Sequence, residues 1–329
     1  MSSNFLRIAA PVSKSHETYT NLSLIKPMKK ERNRRSTCKD GVGTIALKKY
    51  CRATVVEGKY METDWGGKTG GKKKYQPEQA LSIENYNTLD STKDEHILAF
   101  DPYEPSLRIF AKVSRHFAER HLASKNNIEL LRQFAPAIVG AKPTVGRGVK
   151  RGSINDDYAI IGIRPERLDS NIGEYVFKSH VDPSIKLELE ETTVEIVKHM
   201  HHSLIDVEPF VAEEMDVLSQ ILSRTKLNAI GQQALAFSIG RNYHSRCHVD
   251  DDMHYTRLTV IAPAEVSADE VIYYFVFPTY GVKVPLRSGD TLLFNPLVLH
   301  SCSNPKFEGC YIMSAYVSRK TVLRATNPL

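Results

Sequence analysis

The chain has 329 residues, of which 41% are hydrophobic and 25% are charged, an ordinary composition for a globular protein with a full core. No apolar run approaches the roughly 20 residues of a membrane-spanning helix, and the first residues lack the apolar segment of a secretory signal. The cysteines are odd in number and show no Cys-x-x-Cys spacing, which argues against a disulfide framework or a structural zinc site. We therefore expect an intracellular protein with reduced thiols and no membrane partner.

The net charge of +6 is unevenly distributed along the chain. Residues 1–80 hold seventeen Lys or Arg against seven Asp or Glu, a net charge of +10, whereas the remainder holds twenty-seven against thirty-one, a net charge of −4. The basic character therefore belongs to the N-terminal quarter. We assign residues 1–79 to a basic, partly ordered extension and residues 80–329 to the main domain.

Two basic clusters mark the extension, one at residues 29–35 and a glycine- and lysine-rich one at residues 65–75. Such clusters attract phosphate backbones, and the flanking Trp65 and Tyr75 could stack on bases, so DNA or RNA is a candidate partner. The competing explanation is a solvated tail or a nuclear-import signal. Residues 43–56 have the pattern of one or two strands, which indicates that part of the extension packs on the main domain.

Residues 80–230 form the helical part of the main domain. Apolar side chains recur at helical spacing from Leu107 to Phe117, and further helices are predicted at residues 127–134, 192–205 and 213–222. A strand is predicted at residues 158–164, and the basic glycine-rich loop at residues 146–152 fits no nucleotide-binding fingerprint. Three histidines between residues 199 and 202 have no carboxylate or cysteine beside them to complete a metal site, so we interpret them as a surface cluster.

From residue 231 to residue 320 the periodicity is that of strands. The predicted strands are rich in β-branched and aromatic residues and are separated by Gly and Pro turns; they are residues 234–239, 255–262, 271–277, 282–286, 291–294, 297–301 and 310–318. Short strands at this spacing indicate an antiparallel sandwich or jelly roll.

One histidine and one aspartate lie two positions apart, at His248 and Asp250. On an extended chain, side chains two positions apart point to the same face, so the imidazole and the carboxylate converge. A second histidine, His300, ends an apolar run further along the chain. Two imidazoles and a carboxylate on adjacent strands form the facial triad of non-haem Fe(II) oxygenases. A structural histidine that is hydrogen-bonded to Asp250 would have the same spacing, so the pair alone leaves both explanations open.

The wider pattern resembles the Fe(II)/2-oxoglutarate-dependent dioxygenase superfamily over about residues 230–320. The residues that carry the resemblance are Gly240, the His248-x-Asp250 pair, the Gly289-Asp290 turn, Phe294-Asn295-Pro296 and His300. The resemblance implies an α+β protein whose core is a double-stranded β-helix, a cupin-like jelly roll, flanked by N-terminal helices. It also implies that His248, Asp250 and His300 hold a catalytic Fe(II) ion.

The co-substrate residues are less standard. The family usually binds the far carboxylate of 2-oxoglutarate with a basic residue about ten positions after the second histidine, but here Cys310 stands there. Arg319, further along, is our candidate for this role. The chain also resembles TET/JBP-like branches that modify 5-methylcytosine, and an algal branch of this kind uses ascorbate instead. Ascorbate is therefore the alternative co-substrate, with three candidate residues to hold it: Arg241, Tyr243 and Asp252. A competing explanation makes Asp252 a solvated loop carboxylate that pairs with Arg257.

The leading hypothesis is a dioxygenase that uses O2 to hydroxylate a C–H bond, with a methylated nucleic-acid base as the candidate target. A base in a duplex would have to be flipped into the site. The alternatives are a protein or small-molecule hydroxylase of the same chemistry, and a non-catalytic jelly-roll module with a nucleic-acid-binding tail. A binding module has no need of the triad geometry, which favours the enzyme. A nucleic-acid substrate would agree with a nuclear protein.

Overall fold

The structure is a computed structural model that describes residues 36–37, 42–46, 53–55, 75–77, 83–90, 96–101, 103–115, 127–142, 157–165, 172–205, 209–225, 227–231, 233–253 and 255–326. Both basic clusters of the extension, apart from Tyr75, and the glycine-rich loop at residues 146–152 lie outside these ranges. None of the helices in the described ranges is long and apolar enough to cross a membrane.

The strands that precede residue 231 are β1 (Ser36–Thr37), β2 (Val42–Ala46), β3 (Ala53–Val55), β4 (Tyr75–Pro77), β5 (Asn87–Thr88), β6 (His96–Asp101), β7 (Glu104–Val113), β8 (Tyr158–Pro165) and β9 (Ile172–Glu174). The later strands are β10 (Ala236–Arg241), β11 (Ser245–His248), β12 (Thr256–Ile261), β13 (Val271–Phe277), β14 (Val282–Arg287), β15 (Thr291–Phe294), β16 (His300–Cys302) and β17 (Tyr311–Tyr316). The helices are α1 (Asn127–Ala141), α2 (Pro183–Ile205), α3 (Pro209–Thr225) and α4 (Arg319–Thr326).

Two sheets form the body of the protein. A ten-stranded sheet has the order β1-β2-β6-β7-β15-β12-β17-β10-β8-β9, and a five-stranded sheet has the order β11-β16-β13-β14-β5. A separate two-stranded sheet pairs β3 with β4 in antiparallel fashion. All pairs among β10 to β17 are antiparallel. Successive strands cross between the two sheets, except that β13 and β14 pair with each other in the small sheet. This mostly β architecture is compatible with a β-sandwich or jelly roll.

The interior between the sheets is aromatic and aliphatic. Phe110 on β7 stacks on Phe277 on β13, with ring centroids 5.0 Å apart, and thereby joins the large sheet to the small one. Leu258 and Val260 on β12 face the same core. Burying side chains of this size stabilises the fold by about 1.5–3 kcal/mol each, so the inward positions of the strands hold the two sheets together.

The helices cover the other face of the large sheet. Leu131 and Ile138 of α1 and Ile196 of α2 pack on Phe237 and Ile261, which face away from the sheet interface. Leu218 of α3 and Val322 of α4 pack in a neighbouring cluster on the same side. The outward residues of β12 are therefore as buried as the inward ones, although they contact helices instead of the opposite sheet.

The predicted helix near residues 105–117 is wrong, because residues Glu104–Val113 form strand β7. Phe110 on this strand contacts the interior core, and Ala111 and Val113 pack in the cluster beneath the helices. A strand with both faces buried carries apolar residues without a period of two. In this segment their spacing matched a helical period by coincidence.

The other long elements follow the predictions more closely. Strand β13 has the predicted limits, and the predicted helices at residues 192–205 and 213–222 lie within α2 and α3, which begin earlier. The predicted helix at residues 127–134 continues to Ala141. Residues 80–230 also contain strands β5 to β9, and β2 from the N-terminal extension pairs in parallel with β6.

Candidate metal centre

Two strands of the small sheet bring the histidines together. β11 is the edge strand of that sheet and ends at His248, and β16 beside it begins at His300. The register places the two residues directly opposite each other, next to an irregularity in β11. Their rings lie with centroids 4.4 Å apart. The convergence predicted from two distant parts of the sequence is therefore a cross-strand pair.

Asp250 lies just beyond β11 and completes the group. Its carboxylate oxygens are 3.6 Å from Nε2 of His248 and 3.4 Å from Nε2 of His300. Its backbone amide donates a 2.9 Å hydrogen bond to the carbonyl oxygen of Pro296, which fixes the loop against the turn before β16. One ligand atom from each of the three residues lies within 4.8 Å of the others, a spacing that one metal ion can bridge.

The environment of His300 selects the nitrogen that would face a metal. Nδ1 lies 2.8 Å from the carbonyl oxygen of Val298, which can only accept, so Nδ1 carries the proton and Nε2 presents its lone pair to Asp250. Phe275 stacks on the ring at 5.4 Å and Phe294 lies tilted at 4.8 Å. The buried imidazole is thus held in one orientation and one tautomer. Neutral imidazoles with a hard carboxylate suit Fe(II), so this donor set fits the ion that the resemblance implies.

The site is closed on one side and open on the other. The side chain of His300 is 3% exposed, whereas those of His248 and Asp250 are 21% and 40% exposed. A substrate would therefore approach from the side of His248 and Asp250. Burial raises the pKa of the nearby Cys302 thiol, and it also raises the pKa of Cys310, to about 11, so neither cysteine competes as a thiolate ligand.

Asp252 lies on the same loop as Asp250, and its carboxylate accepts a 2.9 Å hydrogen bond from the hydroxyl of Thr256. Burial, with the charge of Asp250, raises the pKa of Asp252 well above its usual range. Arg257 does not pair with Asp252, so that explanation is wrong. The Arg257 guanidinium lies on the opposite face of β12 and donates to the carbonyl oxygen of Gln233.

The other co-substrate candidates lie in three different places. Arg241 is exposed at the end of β10, where its guanidinium is 3.3 Å from the carboxylate of Asp157. Tyr243 folds back over Gly240 and packs against the interior core. Arg319 begins α4, and its amide donates to the carbonyl oxygen of Asp251. The structure therefore brings Tyr243 to the inside of the sandwich and leaves Arg241 at its surface.

Gly240 has a steric reason to be a glycine. A Cβ atom there would come within 2.8 Å of Cβ of Tyr243 and 3.1 Å of a ring carbon of Tyr158. The rings of the two tyrosines lie 5.7 Å apart. The glycine predicted as part of the site pattern therefore makes room for two aromatic rings on the inner face of the large sheet.

A pair of serines at the inner face was missed by the sequence analysis. Ser238 on β10 lies opposite Ser314 on β17, and their hydroxyl oxygens are 2.8 Å apart. The available signal was a serine in the middle of each of two otherwise apolar strands. Polar groups are placed at such positions only when they find hydrogen-bond partners.

Comparison with known proteins adds a likeness of shape. No protein-family model matches the sequence, and the comparison with curated proteins found no match. Among solved structures the chain is similar to NgTET1 in complex with 5mC DNA, with a TM-score of 0.47 and 15% sequence identity over 73% of this chain and 85% of that chain.

Proposed function

We propose that this protein is a non-haem Fe(II)-dependent dioxygenase whose metal is held by His248, Asp250 and His300. The observation that carries the proposal is the meeting of these three ligand atoms within 4.8 Å. Three protein ligands leave the remaining coordination positions open for O2 and a co-substrate. Bound iron would supply the activation of O2 that hydroxylation of a C–H bond requires.

The strand order supports a double-stranded β-helix as the scaffold. Strands β15-β12-β17-β10 lie side by side in the large sheet, and β11-β16-β13-β14 lie side by side in the small one. Eight strands that cross between two antiparallel sheets in this order, with β13 and β14 paired as neighbours, have the connectivity of a jelly roll. Placing both histidines at adjacent strand ends of the small sheet puts the metal at the mouth of the sandwich.

The protein's own residues would do the positioning. Val298 and the aromatic rings of Phe275 and Phe294 hold the His300 imidazole in place, and Pro296 holds the loop that carries Asp250. The apolar wall excludes water from one side of the metal, while the exposed side of Asp250 admits the substrate.

A methylated nucleic-acid base is the substrate that we favour within this chemistry. The support is the net charge of +10 in residues 1–80, because a basic segment retains a polyanion near the site. The co-substrate would be 2-oxoglutarate or ascorbate. A protein or small-molecule hydroxylase of the same chemistry is the alternative.

The test is an oxygenation assay on the full chain with Fe(II), O2 and either co-substrate, with DNA that carries methylated bases. We expect nucleosides one oxygen atom heavier in mass analysis, and none with the Asp250→Ala variant. The matched control is Asp251→Ala, which removes the neighbouring exposed carboxylate and should keep the activity. An iron-loaded protein that consumes no oxygen and forms no product with either co-substrate would contradict the proposal.

A further inference from the structure

The hairpin of β6 and β7 extends beyond its neighbours in the large sheet at the end that holds the proposed metal centre. β15 ends at Phe294, which pairs with Phe110, whereas β7 continues back to Glu104 at the turn of the hairpin. The loop that follows Phe294 leads directly to His300. The hairpin therefore projects past the mouth of the sandwich, where the proposed metal lies.

The tip of this hairpin is held in place by a buried carboxylate. One oxygen of Asp101 accepts a 2.9 Å hydrogen bond from the amide of Tyr103, and the other accepts a 3.0 Å hydrogen bond from the hydroxyl of Tyr280, in the turn after β13. Tyr103 itself is 77% exposed. A fixed tip thus presents an aromatic side chain to solvent, so little backbone entropy remains to be lost when the ring binds a partner.

The hairpin is also bonded to the loop beside the proposed metal. The amide of Asn295 donates a 2.9 Å hydrogen bond to the carbonyl oxygen of Ile109, and the side-chain amide of Asn295 lies 3.4 Å from the carbonyl oxygen of Arg108. Leu297, two residues further along this loop, is 44% exposed. The exposed ring of Tyr103 and the exposed Leu297 therefore belong to two connected elements on the rim of the mouth.

The same hairpin anchors the basic extension. β2 pairs in parallel with β6 and ends at Ala46, opposite Phe100. Residues 1–80, which include β2, carry the net charge of +10. On the hairpin itself, the guanidinium of Arg108 lies over the ring of Phe100, 5.9 Å from its centroid. Positive charge is therefore attached to the element that exposes the aromatic ring.

The reach of the hairpin suits a nucleic-acid strand. The strand from Phe110 to Glu104 spans about 20 Å when extended. One strand of stacked nucleic acid rises about 3.4 Å per nucleotide, so the tip lies within roughly six nucleotides of a base at the metal. Aromatic side chains stack on bases of any sequence, while nearby cations neutralise the phosphates. An exposed ring on a basic element fits this partner.

We propose, on the basis of the function proposed above, that the hairpin of β6 and β7 is a nucleic-acid contact on the rim of the proposed active site. Tyr103 stacks on an unpaired base of the strand that carries the target base. This contact holds the strand across the mouth, and the basic extension beside β6 contacts its phosphates.

The test measures the affinity of the full chain, without added iron, for a labelled single-stranded DNA of about 16 nucleotides, which is long enough to run from the metal to the tip. Fluorescence anisotropy gives the affinity. We expect Tyr103→Ala to weaken binding by roughly fivefold to hundredfold, the worth of one base stacked on an aromatic ring. Because Tyr103 is uncharged, the slope of log K against log salt should stay the same.

Two further variants isolate the ring. Tyr103→Phe keeps the aromatic face and should bind within about twofold of the unsubstituted chain. Val176→Ala removes another exposed apolar side chain, beyond β9 at the opposite edge of the large sheet, and should leave the affinity unchanged.

An affinity that is unchanged in Tyr103→Ala, or reduced equally in Tyr103→Phe, would overturn the inference, as would a full chain that binds no DNA. Loss of self-association in Tyr103→Ala, measured by sedimentation and without a change in DNA affinity, would assign the tip to a contact between copies of the chain instead. The metal centre fails separately, because no iron takes part in this measurement. A chain that does not bind Fe(II) would refute the proposed metal centre and leave these DNA affinities unchanged.

Discussion

At the scale of single residues, the proposed metal centre depends on one backbone contact and one stacked ring. The carbonyl of Val298 fixes the tautomer of His300, and Phe275 fixes the plane of its imidazole. Such supporting contacts determine whether a ligand atom faces a metal, since an imidazole that is free to rotate loses affinity. The histidine spacing in the sequence carries no trace of these contacts.

Arg257 is a charged side chain buried in the body of the protein. Its side chain is 1% exposed, and its Nε and Nη1 atoms have no hydrogen-bond partner among the residues that the structure describes. Burial lowers the pKa of Arg257 to about 10, below its usual 12.5, so folding penalises the charged form at neutral pH. This penalty is relieved only as the pH rises above about 10, where the folded-state group loses its proton.

We therefore predict that Arg257→Met leaves the free energy of unfolding unchanged or raises it by about 1–3 kcal/mol, because it removes a buried, uncompensated charge at similar volume. Arg257→Ala, which leaves a cavity, should lower it by about 2–4 kcal/mol. Urea unfolding at neutral pH measures both changes. Equal losses in the two variants would mean that the guanidinium makes a stabilising contact.

At the scale of elements, an ion-pair network joins the segment before β6 to the two sheets. Arg287 at the end of β14 donates two hydrogen bonds, of 2.8 and 2.7 Å, to the carboxylate of Asp90. Lys112 on β7 lies between Asp90 and Asp290. The turn at Gly289, which has a φ of 81°, brings Asp290 into this network. A glycine adopts that conformation without the steric cost that other residues have.

Replacing Asp90 should make stability less sensitive to acid. Burial pushes the pKa of Asp90 upward, but the Arg287 hydrogen bonds and the charges of Lys112 and Arg287 lower it below 3.8 overall. A lowered folded-state pKa contributes stability above about pH 4, which is lost as the pH falls through that lowered value.

Asp90→Asn should therefore lower the free energy of unfolding by about 1–2 kcal/mol at pH 7, a value reduced for the partial exposure of the pair. The difference from the unsubstituted protein should shrink below pH 4, where the carboxyl group becomes protonated. Thermal unfolding between pH 3 and pH 7 measures this, with the exposed Glu188→Gln as control. A difference that is constant across the pH range would show that the ion pair is not its source.

At the scale of the whole molecule, the basic residues and the proposed metal site lie in different parts of the sequence. The proposed metal ligands belong to the slightly acidic body, and the basic residues cluster in residues 1–80. Strand β4, at the end of the 65–75 cluster, belongs to a two-stranded sheet, and β2 of the same extension joins the large sheet. Removing residues 1–79 would thus remove strands, so charge-neutralising substitutions are the better test of nucleic-acid binding.

If residues 72–74 contact phosphates, DNA binding should depend steeply on salt. We expect the triple variant Lys72→Gln, Lys73→Gln and Lys74→Gln to reduce the slope of log K against log salt by about 2–3, close to one per lost phosphate contact. Fluorescence anisotropy of labelled DNA measures this slope. The control neutralises three exposed lysines elsewhere, Lys186, Lys198 and Lys320. Equal changes in both triple variants would indicate that only the overall charge matters.

Strand limits and turns that depend on neighbouring residues could be predicted from the sequence. The limits of β13 follow from its β-branched and aromatic run, and the turns at Gly281 and Gly289 follow from residues with positive φ. The secondary-structure prediction failed at β7, because packing against other parts of the fold buries both faces of this strand. The pairing of His248 with His300 spans fifty-two positions and was implied by resemblance, because a local pattern cannot specify cross-strand register. The Ser238–Ser314 pair is non-local in the same way.

The most direct test of the account is a measurement of Fe(II) binding by anaerobic dialysis and metal analysis. The full chain should retain about one ferrous ion, as a facial triad requires, and His300→Ala and Asp250→Ala should each lose it. Asp251→Ala, which removes a carboxylate next to the triad, should retain the ion. Iron content that is unchanged in the His300→Ala and Asp250→Ala variants would contradict the metal centre and, with it, the proposed oxygen chemistry.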